Sequence, residues 1–61
     1  MNNKILRIKQ VVERIGASKT TIYRWINANQ FPRPINLSSS SVGWLEADIN
    51  DWIQSKIEAR G

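Results

Sequence analysis

The sequence predicts a mainly α fold with a small β-hairpin. Three observations predict it. Two short helical segments lie between Ile8 and Asn29, interrupted at Ile15-Gly16-Ala17-Ser18. Two short alternating segments flank a polar loop between Ile35 and Trp44, the pattern of a hairpin. A final apolar stripe, Ile49, Trp52, Ile53 and Ile57, falls at i, i+3, i+4 and i+8, the spacing of an amphipathic helix.

The elements follow in order. Ile5-Leu6-Arg7-Ile8 is short and apolar around one charge, and reads as an edge strand leading into the first helix. Lys9 to Ile15 carries Val11, Val12 and Ile15 on one side and Glu13 and Arg14 on the other. Gly16 ends this helix, because glycine takes the left-handed conformation without a steric cost. Ser18 is then a good N-cap, its hydroxyl placed to accept from the backbone N–H of Thr20 or Thr21. The second helix is expected from Lys19 to Asn29, and Pro32 and Pro34 forbid its continuation, leaving Gln30 to Pro34 as a stiff connection. Ser38 to Ser41 form the polar loop between the hairpin segments Ile35-Asn36-Leu37 and Val42-Gly43-Trp44. The third helix is expected over Glu46 to Ala59, with Glu46 and Asp48 in its first turn and Arg60 at its end, as the helix dipole favours. No internal repeat or second domain is visible, so residues 1–61 are read as a single domain.

Composition narrows the chemistry. A chain of 61 residues buries only about 60% of the surface its unfolded form exposes, so Trp25, Trp44 and Trp52 are the natural core anchors. Cysteine and histidine are absent, which removes disulfides, thiolate metal sites, the usual zinc ligand and the usual general base. Asp48 and Asp51 lie close together near Glu46, but no nucleophile–base pair and no phosphate loop accompanies them. The expectation is no enzyme, no metal and no cofactor. No apolar run approaches a membrane span and no signal peptide is visible, so a cytoplasmic, nucleoid-associated protein is expected.

The net charge of +4 is unevenly distributed. Met1 to Arg33 holds seven cations and one anion, +6, whereas Pro34 to Gly61 holds two cations and four anions, −2. A basic half on the helix pair is what a polyanion-binding surface requires, although solvated charge alone also keeps a small protein soluble.

The second helix gives the charge a direction. At about 100° per residue, Thr21, Ile22, Trp25, Ile26 and Asn29 share one side, and Thr20, Tyr23, Arg24 and Asn27 share the other, with Lys19 on its flank. Thr21, Ile22, Trp25 and Ile26 of the first set read as core. The second set is what a helix needs in a major groove: asparagine pairs bidentately with adenine, arginine with guanine, lysine reaches phosphates, and tyrosine bonds a phosphate or packs on a thymine methyl. The N–H groups from Ser18 to Thr21 at the helix start are further phosphate donors. Arg33 and Lys9 are candidate phosphate contacts, and Ser39 and Ser40 at the loop tip offer hydroxyls and N–H groups to the backbone of a duplex. Singly, each such residue is ordinarily just solvated. The tryptophans suggest stacking on single strands, but their places on apolar stripes favour core packing.

The order of these motifs resembles the AlpA family of small phage and prophage regulators. The matching pieces are Leu6-Arg7, the Gly16-x-Ser18-x-x-Thr21-Ile22-Tyr23-Arg24 junction, Phe31-Pro32-x-Pro34, and Val42-Gly43-Trp44 followed by Asp48-Ile49-x-x-Trp52-Ile53. They cover almost the whole chain in the family's order and spacing. The resemblance implies a winged-helix-like, MerR-type helix-turn-helix domain, with the helix-turn-helix at about 9–29, the recognition helix at Ser18 to Asn29 and the wing at Ile35 to Trp44. It also implies sequence-specific DNA binding in transcriptional control, and in some members prophage excision. One departure stands out. Family members commonly carry a basic residue just before Val-Gly-Trp, where this chain has Ser38 to Ser41. That shifts phosphate affinity onto the helix and the N-terminal cations.

The expected function is a DNA-binding transcriptional regulator that presents Ser18, Lys19, Thr20, Tyr23, Arg24, Asn27, Arg33, Ser39 and Ser40 to double-stranded DNA. The expected protein partner is RNA polymerase or a recombinase, and the expected state is a monomer that associates on DNA. Two alternatives remain. One is an excisionase-like recombination directionality factor that binds adjacent sites and bends DNA. The other is a small basic protein-interaction module, for which the acidic third helix (Glu46, Asp48, Asp51, Glu58) is a candidate surface.

Overall fold

The computed structural model describes residues 3–60. In chain order they form β1 (Ile5–Leu6), α1 (Ile8–Ile15), α2 (Lys19–Asn27), β2 (Ile35–Ser38), β3 (Ser41–Leu45) and α3 (Glu46–Ala59). The strands make an antiparallel sheet in the order β1-β3-β2. Ile5 pairs with Leu45 and Leu6 with Trp44 on one side of β3, and Ile35 pairs with Gly43 on the other.

The expected edge strand is present but ends at Leu6, and Ile8 already belongs to α1. Arg7 explains the boundary. It is extended (φ −87°, ψ 166°), its N–H donates to Gln10 Oε1 at 2.9 Å, and its carbonyl accepts from Val11 N at 3.0 Å. A side chain three residues into the helix therefore satisfies the cap backbone. At the other end Gly16 is left-handed (φ 80°) and donates to the Val12 carbonyl at 2.8 Å, the helix stop expected of it.

Helix α2 begins where expected. Ser18 Oγ accepts from Thr21 N at 3.2 Å. It ends at Asn27, two residues before the sequence reading placed it. The cause is not proline but Asn29, the one non-glycine residue with positive φ (60°) among those described. Asn29 donates to the Ile26 carbonyl at 3.0 Å and Gln30 to the Trp25 carbonyl at 2.8 Å, a Schellman closure built on asparagine. Asn29 thus leaves the helix rather than extending its apolar side.

The hairpin is longer than expected, with Ser38 and Ser41 inside the strands and Ser39 and Ser40 as its turn. No residue there is left-handed, so the turn does not match the strand twist by itself. A bulge at Leu37, between the pairs Asn36–Val42 and Ser38–Ser41, accommodates the difference.

The buried core draws on every element except β2: Leu6, Val11, Ile22, Ile26, Trp44 and Ile49, with Phe31 from the connection. The three tryptophans are not equivalent. Trp44 is fully buried, whereas Trp25 and Trp52 are half-buried. Trp44 Nε1 donates to the Pro32 carbonyl at 2.9 Å, and Trp52 Nε1 donates to the Gln30 carbonyl at 2.8 Å. Two indoles therefore hold the stiff connection, and Phe31 packs edge-on against Trp52 with centroids 4.9 Å apart. The apolar stripe of α3 runs out before the helix does, and Ile57 is 45% exposed. α3 starts directly after β3, with Glu46 N donating to the Lys4 carbonyl at 2.9 Å. Among the described residues no helix is long and apolar enough to cross a membrane.

Candidate nucleic-acid interface

The outward side of α2 is open. Lys19, Thr20, Tyr23, Arg24 and Asn27 together line a shallow surface depression of about 680 Å³. The helical period places them on one face, and the opposite face carries Ile22 and Ile26 into the core. The five side chains singled out on this helix are thus brought together.

Their surroundings differ. Lys19, Thr20, Arg24 and Asn27 are exposed. Tyr23 is half-buried, because its ring meets Trp44 edge-on at 6.2 Å. Its place on the polar face is therefore shared with a packing role. Thr21, read as core, is half-buried, and its Oγ1 accepts from Ser18 Oγ at 3.0 Å. The Ser18 hydroxyl is committed to Thr21, so the open N–H groups at the helix start are those of Lys19 and Thr20.

The cations of the basic half also divide. Among the described residues the one ion pair is Arg14–Glu46, at 3.1 Å. Arg14 also donates to Asn50 Oδ1 at 2.9 Å, so it joins α1 to α3 with its charge already paired. Arg33 donates to Asn29 Oδ1 at 2.9 Å and lies in the connection, outside the α2 depression. Ser39 and Ser40 form the exposed hairpin tip, with Ser40 N directed at Ser38 Oγ at 3.4 Å, and they too lie outside it. Lys19 and Arg24 have no ion-pair partner among the described residues and present their charge to solvent. Lys4, Arg7 and Lys9 are likewise exposed.

The sequence reading missed Arg14 as a clamp and Phe31 as a core residue. Neither carries a local signal. The partners of Arg14 are 32 and 36 residues away, and Phe31 sits between prolines and polar residues in an irregular segment.

The arrangement offers hydrogen-bonding and cationic groups on a helix narrow enough for a major groove, with the hairpin base tied to the same helix through Tyr23 and Trp44. Among the described residues no cluster of acidic side chains could hold a metal ion.

Comparison with known proteins agrees with the motif order. Residues 4–57 match the family model described as "Prophage CP4-57 regulatory protein (AlpA)". The "DNA-binding transcriptional activator AlpA" of Escherichia coli (strain K12) is 36% identical over 66 aligned positions, covering 92% of this chain and 94% of that protein. The "Uncharacterized protein ORF88" of Enterobacteria phage P4 is 32% identical over 57 positions, covering 93% of this chain and 65% of that protein.

Proposed function

The chain belongs to the AlpA family of prophage regulatory proteins, and on that premise we propose that it is a sequence-specific, DNA-binding transcriptional regulator of phage or prophage type. The relative from Escherichia coli is named as a DNA-binding transcriptional activator, which supports the class of function. The observation that carries the detail is the clustering of Lys19, Thr20, Tyr23, Arg24 and Asn27 on the open face of α2.

In this reading the domain is a winged, MerR-type helix-turn-helix, and α2 is its recognition helix. Arg24 and Asn27 point at base edges, where bidentate pairing distinguishes guanine and adenine. Lys19, the Lys19 and Thr20 N–H groups and the Tyr23 hydroxyl grip phosphates, which set the register of the helix without reading sequence. The hairpin tip at Ser39 and Ser40 contributes uncharged contacts to the sugar-phosphate backbone beside the groove. Lys4, Arg7, Lys9 and Arg33 add long-range attraction. Arg14 contributes little, because Glu46 already neutralises it.

The test is a footprint and mobility-shift titration on the DNA flanking the chain's own gene, with random duplex as competitor. A discrete protected site is expected, with log affinity falling against log salt at a slope of about −4 to −5 for roughly five neutralised phosphates. Equal affinity for the flanking and random duplexes at low salt overturns the reading of sequence specificity. Absence of binding overturns it altogether.

A further inference from the structure

The apolar stripe of α3 continues past the core that it serves. Ile49 is fully buried, Trp52 and Ile53 are half-buried, and Ile57 is 45% exposed. Among the described residues no element covers Ile57 at its end. Together with Ile15 and Trp25, these residues floor an open groove of about 440 Å³ between the end of α1, α2 and α3.

The rim of this groove is cationic. Arg14, Lys56 and Arg60 border it. Arg14 is paired with Glu46, but Lys56 and Arg60 have no ion-pair partner among the described residues. Lys56 Nζ lies over the Trp52 ring, 5.3 Å from its centroid, which keeps the ammonium at the groove edge. The carboxylates of α3 do not line this side. An apolar floor with uncompensated positive charge along one wall selects an apolar ligand with negative flanks.

The dimensions favour a helix. From Trp52 to Arg60 the wall runs about 12 Å, roughly two helical turns, at about 1.5 Å per residue. A helix laid in such a groove offers anchors at i, i+3 or i+4, and i+7. The groove is also independent of the DNA-facing surface. Trp25 is about 200° around α2 from Tyr23, so a duplex against the outward face leaves it open.

We propose that this groove is the docking site for an acidic amphipathic helix of a protein partner, with apolar anchors over Trp25, Ile53 and Ile57 and carboxylates against Lys56 and Arg60. A second copy of this chain does not meet the description. Its α1 and α2 are cationic (Lys9 and Arg14, Lys19 and Arg24), and the uncovered side of its α3 carries Lys56 and Arg60, so each of these surfaces would set cations against the cationic rim.

The test uses a fluorescein-labelled helical peptide with Leu at i, i+4 and i+7 flanked by Glu and Asp, and its counterpart with Lys at every acidic position. Anisotropy titrations are run against the full chain and against the Lys56→Glu/Arg60→Glu double variant, whose fold is checked by thermal melting. The acidic peptide is expected to bind at least about tenfold more tightly than the basic one, and the double variant to lose at least about tenfold for the acidic peptide. Ile57→Asp is expected to abolish binding, and wild-type complexes with duplex DNA to retain it. Equal binding of the two peptides, binding by neither, or an unchanged titration in the double variant overturns the proposal. So does concentration-dependent self-association of the wild-type chain that Ile57→Asp removes, because the occupant is then a second copy.

Discussion

The Tyr23 ring stands edge-on to the fully buried Trp44 ring, with centroids 6.2 Å apart and planes at 63°. One residue thus belongs both to the outward face of α2 and to the packing that fixes α2 against β3. The two roles separate by substitution. Tyr23→Phe keeps the ring and is expected to change unfolding free energy by less than about 0.5 kcal/mol. If the hydroxyl holds a phosphate, that variant binds DNA roughly three- to tenfold more weakly, the worth of one hydrogen bond. Tyr23→Ala removes the ring as well, at a cost of about 1–3 kcal/mol. Urea unfolding beside DNA titration at one salt concentration checks both. Wild-type DNA binding by Tyr23→Phe assigns the residue to packing alone.

Arg24 and Arg14 look alike in sequence, each a cation on a short helix, and the fold gives them opposite fates. Arg24→Ala is expected to leave the melting curve unchanged, weaken DNA binding by roughly tenfold, and reduce the salt slope by about 1. Arg14→Ala breaks the clasp to Glu46 and Asn50. Its side chain is 36% exposed, so the expected loss is no more than about 1 kcal/mol, with DNA binding nearly unchanged. A wild-type salt slope in Arg24→Ala counts against α2 as the DNA-contacting helix.

Much of the fold was legible because its signals are local. The Ser18 cap, the Gly16 stop and the face division of α2 depend on residues within one or two turns, and the end of α1 and the start of α2 followed from them. What escaped depends on distant partners or on a rarer device. The end of α2 is set by Asn29 in a conformation that glycine usually supplies, so the prolines drew attention two residues too late. Trp25 and Trp52 carry strong core signals, but whether a stripe is covered to its end depends on how many layers the chain can supply. Among the described residues none covers Ile57. The five polar residues of α2 were legible as a set because one helix holds them. The hairpin serines and Arg33 were expected at the loop tip and in the connection, where the fold puts them, and they do not line the α2 depression.

The unequal tryptophans give a stability series. A chain of 61 residues has about 3–9 kcal/mol of stability in total, at about 0.05–0.15 kcal/mol per residue. Trp44→Ala opens a cavity at the centre and strands the Pro32 carbonyl, and its expected cost of about 3–5 kcal/mol leaves little or no folded protein. Trp52 is half-buried, so Trp52→Ala is expected to cost less, about 2–3 kcal/mol. Trp52→Phe keeps an aromatic ring beside Trp25 but gives up the bond to the Gln30 carbonyl and part of the indole's contact area, about 1–2 kcal/mol. Circular dichroism melts should rank the variants in that order, and Trp52→Ala melting below Trp44→Ala contradicts the burial difference.

Two backbone positions test the turns separately from the core. Asn29 holds a left-handed φ of 60°, which costs most L residues about 1–2 kcal/mol. Asn29→Gly removes that cost and loses the bond from Arg33, so its expected effect is within about 0.5 kcal/mol of neutral. Asn29→Ala keeps the cost without asparagine's local hydrogen bonding and is expected to destabilise by about 1 kcal/mol. Gly43 is a different case, governed by space. A Cβ there would collide with Ile5 Cγ2 and stand 3.2 Å from Leu37 Cδ1 and 3.3 Å from the Leu6 carbonyl oxygen. Leu37 can turn its side-chain end aside, but Ile5 is β-branched and its Cγ2 moves only with a changed χ1 or a shifted β1, and the Leu6 carbonyl is fixed in the same strand. Gly43→Ala is therefore expected to cost about 1–3 kcal/mol through a displaced β1. Because the Lys4 carbonyl receives the first N–H of α3, the same displacement should loosen that helix start. Faster amide exchange at Glu46 in Gly43→Ala, but not in Asn29→Ala, distinguishes a shifted strand from a general loss of stability. Unchanged exchange there places the strain within β2 instead.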